Sequence, residues 1–170
     1  MNTIASAIER LEHAVEQRPG FGVGTSVSVT TMTDGLRCAT QEGEFCTRSD
    51  LSRALGGDGS APTPGALMRA ALGSCMAMSY RLRAARHGIE LGSIRVTVEA
   101  DSELAGMLAC DASAPPGYTE IRYHVDVESS APPDEVMRII DEGDRLSPLL
   151  DVLTRATPAR RSTWITSGDN

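Results

Sequence analysis

Residues 56–91 read GGDGSAPTPGALMRAALGSCMAMSYRLRAARHGIEL and set the architecture of the chain. They begin with a glycine- and proline-rich loop that ends at Pro64, a residue whose fixed φ suits the first turn of a helix. The helix runs without another proline to His87-Gly88, where a cationic last turn and a glycine end it. Small and apolar side chains cover most of its circumference from Leu67 to Met78, so we expect this long central helix to be buried.

Alternating β-branched segments flank the central helix. Before it, the turn signals Asp34-Gly35 and Glu42-Gly43 predict a three-stranded antiparallel meander. After it, two more strands are predicted, joined by a connection that contains Cys110 and Pro115-Pro116. The five predicted strands are residues 25–33, 36–41, 44–49, 93–100 and 119–128.

The first hairpins also suggest a relation between two cysteines. Pairing about a short loop centred near Glu42 would place Cys38 opposite Cys46 on one face of the sheet. We interpret them as small, half-buried residues rather than as a disulfide.

Helical spacing appears in three further segments. Residues 1–20 carry Ile4, Ile8, Leu11 and Val15 and stop at Pro19-Gly20, which predicts an amphipathic N-terminal helix. Pro132-Pro133 and Ser147-Pro148 open two late helices, and a last strand is predicted over 162–166. The order predicts an α+β fold with mostly antiparallel pairing, divided into the N-terminal helix (1–20) and a single domain (21–170).

Composition limits the possible partners. The chain has 170 residues, 41% of them hydrophobic, which suits one globular core, and 23 Asp+Glu outweigh 16 Lys+Arg to give a formal charge of -7. Nucleic acid and membrane surfaces are therefore unexpected partners. Charges within residues 1–20 are unlike a secretion signal. Four cysteines without a CxxC pair disfavour a zinc site and a disulfide scaffold, so a reducing cytoplasm is expected, with no metal or organic cofactor.

Cysteine chemistry is the one reactive possibility that the residues leave. Motifs of the GxxxxGK, GxGxxG, HExxH and GxSxG types are absent. Cys75, in LGSCMAM, could be a small buried hydrophobe or a reactive thiol. It lies about three turns into the helix, where the helix dipole has faded, so a reactive thiol would need a nearby cation. The helix arginines, Arg69, Arg81 and Arg83, leave other faces, and Arg37 on the preceding hairpin is the better candidate.

The segment 56–91, the alternating strand after it and LSPLLDVL at 146–153 resemble the OsmC/Ohr family of small thiol peroxidases. The resemblance is stronger to the OsmC-like branch than to the organic hydroperoxide resistance branch. It covers residues 24–167 in element order and leaves out the N-terminal helix. It implies antiparallel sheets around a long buried central helix, in an intertwined homodimer whose active sites are built from both subunits.

The resemblance also implies a chemistry. Cys75 matches the cysteine that attacks a peroxide and becomes a sulfenic acid. In the family a second cysteine, in a Cys-Pro at the start of a late helix, then closes a disulfide, which lipoyl-type dithiols or other thiols reduce. An apolar pocket suits fatty-acid and other organic hydroperoxides.

Three positions depart from the family pattern. Ser147-Pro148 stands where the resolving Cys-Pro is expected, and serine can cap a helix but cannot form a disulfide. Gly65 follows Pro64 where the family has a glutamate that holds the activating arginine. Thr33 stands before Asp34-Gly35, so that Arg37, after the turn, matches that arginine loosely.

Two main hypotheses follow for a protein of this kind. The first is a one-cysteine peroxidase acting in oxidative stress, with Cys75, Arg37 and Ser147 as site residues and an external thiol as reductant. Cys46 or Cys110 could substitute for the missing resolving thiol, Cys46 being the better placed. The second is a catalytically degenerate dimer that binds an apolar or acyl ligand near Cys75, and a structural remnant is a third hypothesis.

Overall fold

The computed structural model describes residues 3–165. Over that range five α-helices alternate with two separate antiparallel sheets, in agreement with the predicted α+β class. The elements in chain order are α1 (Thr3–Gln17), β1 (Val29–Met32), β2 (Cys38–Glu42), β3 (Phe45–Ser49), α2 (Pro64–Arg86), β4 (Leu91–Ser102), α3 (Leu104–Met107), β5 (Tyr118–Ser129), α4 (Pro133–Arg145) and α5 (Pro148–Thr154).

The core forms along one stripe of α2. Leu72, Met76 and Tyr80 recur at a spacing of four residues and are fully buried. They pack with Ile139 of α4 and with the inward-facing valines and isoleucines of the β4–β5 sheet. The opposite side of α2 is different, because Met78 is 66% and Leu82 39% exposed. Within a single chain, the predicted burial of the central helix therefore holds for one face only.

The β4–β5 pair supplies the wall against which α2 rests. Its register sets Val96 opposite Val125 and Ile94 opposite Val127, so the apolar side chains alternate onto one face. Both strands extend a residue or two beyond the predicted limits. The connection between them contains the short helix α3, which the sequence analysis did not predict.

The meander of β1, β2 and β3 forms with the predicted strand order, but the predicted pairing of Cys38 with Cys46 is wrong. Cys38 lies opposite Ser49, and Cys46 lies opposite Gln41. The reason is the turn, which consists of Gly43 and Glu44, with Gly43 at φ +57°. Relative to the predicted pairing, the β3 partner of every β2 residue is displaced by three positions. Because three is an odd number, Cys38 and Cys46 lie on opposite faces of the sheet.

Two other predicted strand segments differ from the structure. β1 is confined to Val29–Met32; in its register with β2, residues 25–27 would lie beyond Glu42, where β2 ends. No strand forms over 162–165, and residue 166 lies outside the described range.

The N-terminal helix α1 packs against α2, and none of its residues is buried. Glu12 forms an ion pair with Arg86 of α2 at 3.1 Å, while Leu11 and Val15 remain more than half exposed. None of the helices between residues 3 and 165 has the length and apolar character needed to span a bilayer.

Close packing at Gly143 yields the first prediction. A Cβ added to Gly143 would overlap the Tyr80 ring and lie 2.9 Å from its Cε1 atom. Gly143→Ala is therefore expected to lower the free energy of unfolding by about 1–3 kcal/mol, although alanine normally favours a helix. The matched control is Gly117→Ala, because no atom lies within 4 Å of the added Cβ. Equal denaturation midpoints for the two variants would contradict this packing.

Candidate active site

Cys75 occupies the third turn of α2. The helix begins through Thr63, whose Oγ1 accepts a hydrogen bond from the N–H of Ala66 at 3.2 Å, and continues from Pro64. Cys75 is half-buried, and its Sγ lies 3.5 Å from Oγ of Ser147. Two of the three predicted site residues, 72 positions apart in sequence, are thus brought into contact.

Ser147 is only 1% exposed and caps the N-terminus of α5, as predicted. Its Oγ accepts a hydrogen bond from the N–H of Leu150 at 3.4 Å. Its own N–H donates to the carbonyl of Asp144 at 3.2 Å, and its carbonyl accepts from the N–H of Asp151 at 3.0 Å. Both backbone groups are fixed, so the hydroxyl is held in place beside the sulfur.

Two tyrosines secure the α4–α5 corner that carries Ser147. The carboxylate of Asp144 accepts hydrogen bonds from the hydroxyls of Tyr80 at 2.5 Å and Tyr123 at 2.8 Å. Burial, together with the Asp144 carboxylate, raises the pKa of Tyr80 well above its ordinary value and that of Tyr123 to about 12. Ser79 adds a hydrogen bond to the carbonyl of Gly143 at 3.0 Å. Sequence reasoning missed this group because no local motif links residues so far apart.

Arg37 lies elsewhere in the single chain. It forms ion pairs with Asp34 at 3.0 Å and Asp58 at 3.7 Å, and its side chain is 54% exposed. Together with Cys38 and Arg48 it lines a cavity of about 450 Å³ between the meander and the loop before α2. Among the described residues, the hydrogen bonds and ion pairs of Arg37 do not include Cys75.

A buried aspartate shapes that loop. Asp50 is 1% exposed, and its carboxylate accepts hydrogen bonds from the N–H groups of Leu51, Asp58 and Ser60 and from the Ser60 hydroxyl. These donors, the Ser60 N–H first, hold the pKa of Asp50 below its ordinary value. Asp50 thereby fixes the segment that presents Asp58 to Arg37. The glycine-rich loop was visible in the sequence, but the residue that organises it was not.

The helix arginines lie on other faces of α2, as their spacing predicted. Arg69 donates to the Tyr118 hydroxyl at 3.0 Å, Arg81 donates to the carbonyl of Leu91, and Arg83 lies 3.9 Å from Glu142. None of these contacts involves the Cys75 sulfur.

All four cysteines are free thiols. Cys46 and Cys110 are exposed, on β3 and on the β4–β5 connection, whereas Cys38 and Cys75 are half-buried. Within residues 3–165, no group of three His, Cys, Asp or Glu side chains is arranged to hold a metal ion.

Comparison with known proteins identifies the family and the fold. The sequence model for OsmC-like proteins matches residues 57–160, which is more than half of the chain. The chain belongs to the OsmC-like family. No curated protein sequence matches it significantly.

Solved structures share the fold at low sequence identity. An OsmC-like protein from Mycoplasma pneumoniae has a TM-score of 0.66 at 15% identity, covering 78% of this chain and 89% of its own. An organic hydroperoxide resistance protein OsmC from Legionella pneumophila gives 0.57 at 17%, covering 78% and 90%. One from Elizabethkingia anophelis, with thiocyanate bound, gives 0.60 at 16%, covering 80% and 91%.

The OsmC resemblance implies a glutamate directly after the loop proline, and in this chain a side chain at that position would meet another residue. Gly65 occupies that position, and a Cβ there would overlap the hydroxyl of Tyr118. That hydroxyl is bonded to Arg69. A larger side chain at Gly65 would therefore require Tyr118 to move.

The contact between Cys75 and Ser147 yields the second prediction. In Ser147→Cys, oxidation with one equivalent of diamide is expected to form a 75–147 disulfide, because a small side-chain rotation closes the present 3.5 Å gap. Peptide mapping of the non-reduced protein detects the crosslink, and the double variant Ser147→Cys, Cys75→Ser is the control. Absence of the crosslink in the single variant would contradict the juxtaposition.

Proposed function

We propose that this OsmC-like protein is a one-cysteine peroxidase that reduces organic hydroperoxides at Cys75. The contact of Cys75 with Ser147 is the observation that carries the proposal. It sets the candidate peroxidatic thiol next to the position at which the resemblance implies a resolving cysteine. The contact between the candidate thiol and the start of α5 is therefore present, while the means of forming an intramolecular disulfide there is absent.

The proposed reaction has two stages. In the first, the Cys75 thiolate attacks the terminal oxygen of the hydroperoxide; an S–O bond forms, the O–O bond breaks, and a proton gives the alcohol and a Cys75 sulfenic acid. In the second, one external thiol displaces water from the sulfenic acid to give a mixed disulfide. A second thiol then releases Cys75 and leaves as the disulfide.

The positions of the other thiols favour an external reductant. Cys46 and Cys38 lie on opposite faces of the meander, and Cys110 lies on the β4–β5 connection. Ser147 occupies the position beside Cys75. Four free cysteines also suit a reducing compartment, and we place the protein in the cytoplasm.

A partly apolar cavity beside α5 supports an organic substrate. A space of about 490 Å³ lies between β5 and α5, lined by Ile121, Leu150 and Leu153 and also by polar residues such as Glu120. Leu150 is also the residue whose N–H is bonded to Ser147. A hydroperoxide with a hydrocarbon body would therefore find some apolar surface near the start of α5.

A homodimer completes this proposal. All of β1 is exposed, no residue of β2 or β3 is buried, and Met78 of α2 is 66% exposed. A second copy packed on these surfaces would bury them, as the intertwined dimer of the resemblance implies. We assign Arg37 to the Cys75 of the second copy, since in its own chain it is bonded to Asp34 and Asp58.

The dimer is the third prediction. Light scattering of the reduced protein is expected to give twice the chain mass of 18.0 kDa, because the exposed meander and the bare side of α2 need a partner. Dilution to nanomolar concentration should leave this mass unchanged if the copies are intertwined. A species of single-chain mass at micromolar concentration would rule out a site shared between subunits.

The fourth prediction concerns Cys75 itself. One equivalent of cumene hydroperoxide, with dimedone present, is expected to label Cys75 selectively, and faster than hydrogen peroxide does, because the cavity between β5 and α5 offers leucine and isoleucine side chains to an organic substrate. Cys75→Ser should abolish hydroperoxide consumption with little change in stability, since the side chains are similar in size. Cys110→Ser is the control, because that thiol is exposed and distant in the chain.

Two results would go against the peroxidase. Hydroperoxide consumption that survives in Cys75→Ser would place the chemistry elsewhere. Slow oxidation spread over all four cysteines would favour instead a protein that binds an apolar or acyl ligand without redox turnover.

A further inference from the structure

We propose that Ser147 donates a hydrogen bond to the sulfur of Cys75 and stabilises its thiolate. The inference rests on the proposed function for its use, since peroxide attack requires a thiolate. A cysteine at this position would form a disulfide with Cys75, whereas the serine would stabilise the Cys75 thiolate.

The partners of the Ser147 hydroxyl determine the direction of the bond. Among the described residues its Oγ has two partners, the N–H of Leu150 at 3.4 Å and the sulfur of Cys75 at 3.5 Å. The N–H of Leu150 donates, so it uses a lone pair of Oγ and leaves the hydroxyl proton free. That proton can be given to the sulfur. A thiol can donate to oxygen as well as accept, but a thiolate only accepts, so the bond favours the thiolate.

The surroundings strengthen such a bond. Ser147 is 1% exposed, so water competes little for its proton. Its backbone is fixed to Asp144 and Asp151, and Asp144 is secured by Tyr80 and Tyr123. The hydroxyl is thus positioned before any substrate arrives.

Among residues 3–165, the hydrogen bonds and ion pairs of the arginine side chains do not include this sulfur. Arg69, Arg81 and Arg83 are bonded elsewhere, and Arg37 is paired with two aspartates. Among the same residues, Ser147 is the polar side chain that is hydrogen-bonded to the reacting atom. It would act together with a guanidinium from a second copy, not in place of it.

The test is the rate of Cys75 alkylation by iodoacetamide as a function of pH. Peptide mass spectrometry follows the reaction from about pH 5 to about pH 10, a range that spans the titration of cysteine. Ser147→Gly removes the hydroxyl yet keeps an acceptable helix cap, and Ser147→Ala is a second variant without the donor. Ser147→Thr keeps the hydroxyl. Ser74→Ala is the matched control, because it removes a hydroxyl from the neighbouring residue, where Oγ donates to the carbonyl of Ala70 at 2.7 Å.

The fifth prediction is a displaced profile. Ser147→Gly and Ser147→Ala should displace the alkylation profile towards alkaline pH, because both variants lose a hydrogen bond to a charged sulfur. Ser147→Thr should stay near the parent protein, and Ser74→Ala should superimpose on it. Unshifted profiles for the glycine and alanine variants, or an equal shift for Ser74→Ala, would overturn the inference.

The same samples separate this inference from the proposed function. If the profile shifts but no hydroperoxide is consumed, the hydrogen bond stands and the peroxidase proposal fails. If hydroperoxide is consumed at Cys75 and the profile does not shift, the peroxidase stands and the assignment to Ser147 is wrong.

Discussion

The burial of one stripe of α2 is the constraint on which the rest of the structure depends. Leu72, Met76 and Tyr80 are fully buried, and they are covered by the β4–β5 sheet on one side and by α4 on the other. Because α4 is fixed in this way, the corner after it has one position relative to α2. The contact of Ser147 with Cys75 is thus a consequence of core packing and does not depend on a flexible loop.

The elements that the sequence predicted well are those with a strong local pattern. The central helix is bounded by a proline and a glycine, and β4 and β5 alternate clearly, so their limits were within two residues. The register of β2 and β3 was wrong because it depends on which two residues form the turn, and Gly43-Glu44 was not distinguished from a loop at Glu42. The hydrogen bonds to Asp144 and Asp50 join residues that no local motif relates, so sequence alone could not indicate them.

The residues of the candidate site were selected on two different grounds. Cys75 and Ser147 were selected by resemblance, and the fold of one chain brings them together. Arg37 was selected by elimination, since the helix arginines leave other faces, and its contacts within one chain are with Asp34 and Asp58. In the homodimer proposed above, the second copy supplies the cation near Cys75, and the meander, none of whose residues is buried, is available to pack against it. The proposed charge next to the Cys75 thiol therefore depends on the proposed dimer.

Two of the three departures from the pattern that the resemblance implies, those at residues 147 and 65, have different physical consequences. A serine at position 147 keeps the helix cap and the contact with the Cys75 sulfur, but it cannot form a disulfide with Cys75. A glycine at 65 removes a charge, and the space there is taken by the Tyr118 hydroxyl, which is held by Arg69. The carboxylates that hold Arg37 come instead from the first hairpin turn and from the loop that Asp50 organises. Arg37 therefore pairs with two aspartates of its own chain, in exposed ion pairs that constrain its side chain only weakly.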